Sequence, residues 1–268
     1  MKSRLWSLIK VSLVFVAMVG LFHIVNNIQL AADLINALDG RLFPGYAALL
    51  IASLLLYLLS GLNEPNGGIL QQLQDQLPFA AAGFFPFFIL SAILSWLDWN
   101  RWWGSLLICA IEVGLLLWLA HIYKGKSTRP SAGFAGVLLL VPLTASFSTR
   151  FTGIALDILY VYLIVAPSEE LLFRGTIQTH LNSAFGHSWE IGDVKVGWGW
   201  LISSILFGLW HAGWFTGLLN WPHVFWTTGA GLLLGFVREK SDGIAAPALL
   251  HGVMNYGPQA ILFYLVAT

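Results

Sequence analysis

Residues Asp157–His180 read DILYVYLIVAPSEELLFRGTIQTH, and the reading of the whole chain turns on where the charges in this stretch sit. A run rich in Leu, Ile, Val and Tyr leads into Glu169 and Glu170, and Arg174 follows four residues after the second glutamate. An ionisable side chain at the centre of a bilayer costs roughly 3 kcal/mol on insertion scales, so such groups are rare there and pair with one another. The flanking sequence is apolar enough to put these charges at or below a membrane surface. Something must offset that cost, and the rest of the chain supplies the partners.

Across the 268 residues, 57% are hydrophobic and 10% charged, with a mean hydropathy of +0.76. Soluble domains carry roughly 25% charged residues, so this chain has too little polar surface to be one. Repeated long apolar runs identify an all-α, polytopic transmembrane helical bundle of about eight to nine spans, each needing about 20 residues. Several of the 13 tryptophans fall at span ends (Trp96, Trp99, Trp102, Trp103, Trp198, Trp200), where indoles favour the headgroup layer. The formal net charge is zero, which removes nucleic acid as a partner and leaves the lipid bilayer. A single cysteine, Cys109, permits no internal disulfide and has no metal-site spacing.

The candidate spans are Leu5–Val25, Tyr46–Leu62, Phe79–Leu97, Gly104–Tyr123, Phe134–Phe147, Thr152–Phe173, Trp198–Gly217, His223–Val237 and Ile244–Val266. The first is read as an uncleaved span, since no small-residue cleavage site follows it. Asn26–Arg41 reads as a loop or interfacial helix, Asn63–Gln76 as a connector and Leu181–Gly197 as a polar connector or lid. Lys2, Arg4 and Lys10 share a side with the basic loops Lys124–Arg129 and Arg238–Lys240, which predicts a cytoplasmic amino terminus in a plasma-membrane protein. The expected organisation is one integral membrane domain over residues 1–268, with helices of residues 1–150 preceding a core of residues 151–268.

On a helix, Glu170 and Arg174 share a face, whereas Glu169 points roughly 100° away. The spacing assigns Arg174 to Glu170 as an ion pair and leaves Glu169 facing the bundle interior. The alternative is an interfacial charge cluster at a span end. Pro167, just upstream, frees backbone carbonyls or resets the helix. Two later spans carry further polar groups: LFGLWHAGW places His211 four residues after Phe207, and ALLHGVMNYG places His251 and Asn255 four apart. A carboxylate and two imidazoles from three spans can hold a water, take its proton and stabilise an oxyanion. His23, His121, His180, His187 and His223 read as interfacial. Glu112 and Asp157 are in-span carboxylates without a sequence partner.

With these residues in hand, the chain resembles the CPBP family of intramembrane proteases, which includes type II CAAX prenyl endopeptidases and bacteriocin-processing or immunity-associated homologues. Its Glu-Glu-x-x-x-Arg motif is matched by Glu169, Glu170 and Arg174, its Phe-x-x-x-His motif by Phe207 and His211, and its His-x-x-x-Asn motif by His251 and Asn255. The resemblance covers Leu156 to Val266. It implies that Glu169 polarises water beside His211, that His251 and Asn255 stabilise the oxyanion, and that Glu170 and Arg174 hold the glutamate helix. The implied substrate is a membrane-anchored peptide or protein, prenylated CAAX tails among them. Glu169, His211 and His251 also make a ligand set for catalytic zinc, although no His-Glu-x-x-His helix is present; a metal-free glutamate mechanism is the reading preferred. Two other classes remain open: a non-catalytic scaffold or immunity protein of the same fold, and an ion- or proton-coupled transporter, which would spread polar residues along a path or repeat its halves.

Overall fold

The computed structural model of the chain describes residues 2–28, 44–59, 76, 79–80, 83, 86–90, 93, 97–98, 100–125, 159–213 and 219–255. The expected Phe134–Phe147 span, Asp157 and most of the two predicted connectors before residue 76 lie outside them. Helices α1 (Lys2–Asn26), α2 (Pro44–Leu59) and α3 (Trp102–Ile122) come first. A long helical rod, α4, then runs through Val161–Val165, Ala166–Glu170, Leu171–Gln178 and Thr179–Phe185 without a break. Strands β1 (His187–Ile191) and β2 (Val194–Gly197) follow, then α5 (Trp198–Trp210), α6 (Trp221–Ser241) and α7, residues 245–255.

Arg4–Asn26 and Trp102–Ile122 are the two helices among the described residues that are long and apolar enough to cross a membrane. The distribution of side chains among the described residues is consistent with an all-α membrane protein. Leu13, Val16, Leu55, Leu58, Leu59 and Leu117 are exposed, while Glu112, Glu169, Glu170 and Arg174 are buried. Apolar groups facing outward and charges paired inward is the arrangement that a hydrocarbon surround favours.

α4 departs from the regular winding assumed for it. Its segments Val161–Val165 and Leu171–Gln178 are π-wound, their backbone bonds reaching the fifth residue in place of the fourth, a form found mostly at functional sites. Side chains match the wider winding: the hydroxyls of Thr176 and Thr179 donate to carbonyls five residues back, Leu171 at 3.1 Å and Arg174 at 2.8 Å. Pro167 sits in the first turn of Ala166–Glu170, directly after the first wide segment, so its missing N–H does not break the rod. The rod extends past Arg174, beyond the predicted span end at Phe173. Its far end is tied to α6 by buried amides: Gln178 donates to the Gly235 carbonyl at 3.1 Å and to Glu239 at 2.6 Å, and Asn182 donates to Glu239 at 2.7 Å.

α5 and α6 approach closely because glycines line their seam. A Cβ on Gly208 would overlap the Thr228 hydroxyl and sit 2.7 Å from the Val224 carbonyl oxygen, and one on Gly231 would sit 2.9 Å from Ser204 Cα. α5 is shorter than the predicted Trp198–Gly217 span. It ends at Trp210, and His211 caps it with its backbone N–H bonded to the carbonyls of Gly208 and Leu209. His211 therefore stands at a helix end and not midway along an apolar run, which brings it level with Glu169.

The stretch expected as a connector is a β-hairpin, an addition to the otherwise helical fold. β1 and β2 pair antiparallel, with Glu190 opposite Lys195 and Ile191 opposite Val194. Val194 and Val196 are buried and Lys195 between them is exposed, the alternation of a half-buried strand. Asp193 in the turn bridges to Lys240 at 2.8 Å and accepts the Gly125 N–H at 2.8 Å, so the hairpin ties together the ends of α3 and α6. Gln76, predicted at the end of a connector, is buried and accepts the Ala246 N–H at 3.0 Å, supporting the start of α7.

Candidate active site

Three helices converge on Glu169. α4 carries the glutamates, α5 ends at His211 and α7 carries His251. Glu169 is 1% exposed, and its Oε2 stands 3.8 Å from His211 Nε2 and 3.7 Å from His251 Nε2. Both separations exceed a direct hydrogen bond, and Oε2 has no hydrogen-bond partner among the described residues. The Oε1 atom is held separately, accepting the Trp210 indole N–H at 3.1 Å. The Tyr46 hydroxyl of α2 is also hydrogen-bonded to this carboxylate. One oxygen is thus fixed, and the other faces two imidazoles at separations just beyond direct hydrogen bonding, where a water to one side can bridge them.

The Phe-x-x-x-His spacing has a geometric explanation. At the end of α5 the His211 ring folds back so that Nδ1 lies 2.8 Å from the carbonyl oxygen of Phe207, four residues earlier. A carbonyl only accepts, so Nδ1 carries the proton and Nε2 presents a lone pair toward Glu169. The Phe207 ring carries a second duty, lying under the Arg174 guanidinium at 4.4 Å. His251 is oriented in the same manner by a different acceptor, with Nδ1 2.9 Å from Glu170 Oε1.

Glu170 and Arg174 form the expected pair, both fully buried, with Nε 3.1 Å from Oε2. Arg174 also donates to the Gly231 carbonyl of α6 at 3.2 Å. Burying charges is costly unless they are paired and hydrogen-bonded, and here one carboxylate meets a guanidinium and an imidazole together. Glu170 therefore does more than hold its own helix, because it also orients His251. Asn255 is exposed and lies on the wall of the adjoining cavity.

That cavity, about 120 Å³, lies against His211 and His251 and is completed by residues including Phe207, His223, Trp226, Met254 and Asn255. His223, read from sequence as interfacial because it follows Pro222 at a span start, is one of its walls. Its ring stacks on Trp226, with centroids 5.2 Å apart and planes 17° apart, and lies 5.8 Å from the His211 ring. Trp210 and Tyr46 were not singled out either. Trp210 resembles any interfacial tryptophan in sequence, and Tyr46 belongs to a helix whose partnership with Glu169 has no local pattern. Phe22 of α1 packs on both, at 4.8 Å from Tyr46 and 5.3 Å from Trp210, so the amino-terminal helices brace the site.

Glu112 is fully buried as expected, against Gly229 and Cys109 at the α3–α6 interface, on a different face of α6 from the cavity. It takes no part in the Glu169 cluster. Zinc bonded at about 2.0–2.1 Å in tetrahedral geometry holds neighbouring donors about 3.3 Å apart. The spacings of 3.8 and 3.7 Å are wider, and among the described residues no group of three or more His, Cys, Asp or Glu is arranged to hold a metal ion. As placed, these donors stand wider than a tetrahedral zinc site holds them.

No curated protein and no solved structure matches the chain. Residues 151–257, the stretch that holds all three motifs and every side chain facing Glu169 Oε2, match the family described as type II CAAX prenyl endopeptidase Rce1-like.

Proposed function

We propose that this protein is a multi-pass intramembrane endopeptidase that hydrolyses peptide bonds of membrane-anchored substrates near the cytoplasmic face, prenylated CAAX-type tails among them. The family match implies a protease embedded in the membrane. The observation that carries the reading is the unsatisfied Glu169 Oε2 facing Nε2 of both His211 and His251 beside a cavity. In this reading the chain is one integral membrane domain of eight to nine spans, with a cytoplasmic amino terminus in the plasma membrane.

The chemistry follows from the donors and acceptors. A water between Oε2 and the two imidazoles gives one proton to Glu169 as its oxygen attacks the peptide carbonyl, while the His211 lone pair accepts its second hydrogen and orients it. The carbonyl becomes an oxyanion, and the Asn255 carboxamide donates to it, joined by His251 Nε2 when that ring carries a proton on both nitrogens, one toward Glu170 and one toward the oxyanion. Losing one such donor costs about 3–4 kcal/mol in comparable sites. The C–N bond then breaks, and Glu169 passes its proton to the leaving nitrogen. Arg174 neutralises Glu170, so Glu170 can accept from His251 without adding an uncompensated charge.

The test is cleavage of a farnesylated CAAX peptide by purified protein in lipid nanodiscs. Glu169→Ala, His211→Ala and His251→Ala are each expected to abolish cleavage in folded protein. Turnover is expected to survive exhaustive chelation, because the donors stand wider than a tetrahedral zinc site holds them. Unchanged turnover in all three variants overturns the reading, and loss on chelation with recovery on zinc overturns the metal-free part of it.

A further inference from the structure

α1 has two unlike faces. Val11, Met18 and Phe22 recur at helical spacing and are buried against the bundle. On the opposite side Ile9, Leu13 and Val16 make an apolar stripe, with Leu13 and Val16 64% and 66% exposed, and Trp6 stands above it at 61%. Two exposed cations, Arg4 and Lys10, accompany this stripe. The Arg4 guanidinium lies 5.7 Å from the centre of the Phe185 ring of α4, and Lys10 is within electrostatic reach of His180, which has no negative charge to offer. Among the described residues neither cation has a carboxylate partner. We propose that the exposed face of α1 from Arg4 to Val16 binds one anionic phospholipid, its phosphate held by Lys10 and Arg4 beside the Trp6 indole and an acyl chain lying along Ile9, Leu13 and Val16.

The helix brings these groups to one ligand. Trp6 and Lys10 are four residues apart and share a face. Helical side chains lean toward the amino-terminal end, so the Lys10 stem runs back toward Trp6 and lifts its ammonium away from the apolar stripe. Arg4 stands about 9 Å further along the axis at 1.5 Å per residue, a gap that two long side chains close on a single phosphate. A cation at the edge of hydrocarbon is costly without a counter-charge, and a phosphodiester is the counter-charge that the headgroup layer supplies. The indole N–H donates at the same level while its ring stays in the apolar boundary. A soluble anion would answer the two charges and leave the stripe beneath them bare. A lipid answers both. The inference rests on α1 lying in the membrane and not on the endopeptidase reading.

The experiment is native mass spectrometry of the purified full chain in detergent, with phosphatidylglycerol and phosphatidylcholine of identical acyl chains supplied in equal amounts. The wild type is expected to retain the anionic lipid about 25-fold over the zwitterionic one, about fivefold for each of two cations. Lys10→Gln and Arg4→Gln are each expected to cut that preference about fivefold, and Lys10→Arg to keep it. Lys195→Gln, an exposed lysine of the hairpin, removes the same charge away from α1 and is expected to leave the preference at the wild-type value. Both cations of α1 are exposed, so these substitutions leave the packed core intact, and matching melting midpoints verify it. Equal retention of the two lipids by the wild type overturns the proposal. An equal fall in Lys195→Gln also overturns it, because net charge and not this face would then attract the lipid. Excess glycerol 3-phosphate is expected not to displace the lipid; displacement would show a site for a soluble phosphate and overturn the lipid assignment.

Discussion

Replacing Trp210 by Phe removes the indole N–H that holds the Glu169 carboxylate. The indole N–H lies 3.1 Å from Glu169 Oε1, and both groups are buried. Phenylalanine keeps an aromatic ring against Phe22 and Phe173, whose centroids lie 5.3 and 6.2 Å from that of Trp210. What is lost is a hydrogen bond to a charged group, worth about 1.5–3 kcal/mol. At 1.4 kcal/mol per tenfold, kcat is expected to fall about 10- to 150-fold if that whole energy serves to hold Oε2 in line with the imidazoles. Tyr46 still engages the carboxylate, which favours the lower end. KM is expected to stay near wild type because Trp210 does not line the cavity. The assay is initial-rate cleavage of the nanodisc-embedded peptide, with thermal melting to show that the variant is folded. A folded Trp210→Phe with wild-type kcat refutes the view that the indole positions Glu169.

Two further outcomes concern stability. Arg174→Met leaves Glu170 fully buried beside an uncharged side chain, and removing one partner of such a pair costs about 3–5 kcal/mol; a large drop in the melting midpoint is expected, and an unchanged midpoint would show that Glu170 is sufficiently held by His251. Asp193, in the hairpin turn, would be raised by its burial, but hydrogen bonds from Lys240 and the Gly125 N–H, with the Lys240 charge, hold it below the ordinary carboxylate range. Its folded value lies below its unfolded one, so the bridge stabilises above the unfolded value near pH ~4 and is lost as pH falls through the folded value. The melting midpoint of wild type is expected to fall more steeply below that pH than that of Asp193→Asn, and parallel curves would refute the link.

The three motifs were legible because lipid makes charge expensive, so each polar side chain in an apolar run carries information. The four-residue spacing of Glu170 and Arg174 gave their pairing, and the offset of Glu169 gave its separate orientation. The π winding of α4 was not legible, since nothing in LLFRGTIQ distinguishes a bond to the fifth residue from one to the fourth. The end of α5 at Trp210 was hidden because hydrophobicity continues to Gly217 without a break. The hairpin was missed because its strands are four and five residues long and alternate only at Val194 and Val196. His223 and Tyr46 acquire meaning only through contacts between distant segments, which local pattern does not encode.

The wide turns of α4 have a consequence for how this helix tolerates change in length. A π turn is an α turn carrying one surplus residue, so deleting a single residue within Leu171–Gln178 would let the rod relax to ordinary winding. Everything beyond the deletion would then keep its phase relative to everything before it, because the wide turn had absorbed the extra residue. Gln178 and Asn182 would still reach Glu239 while the glutamate pair still faced the imidazoles. The same loss from a regular α-helical stretch would rotate one anchorage by about 100° against the other, so the wide turn is where this rod can shorten without parting its two ends.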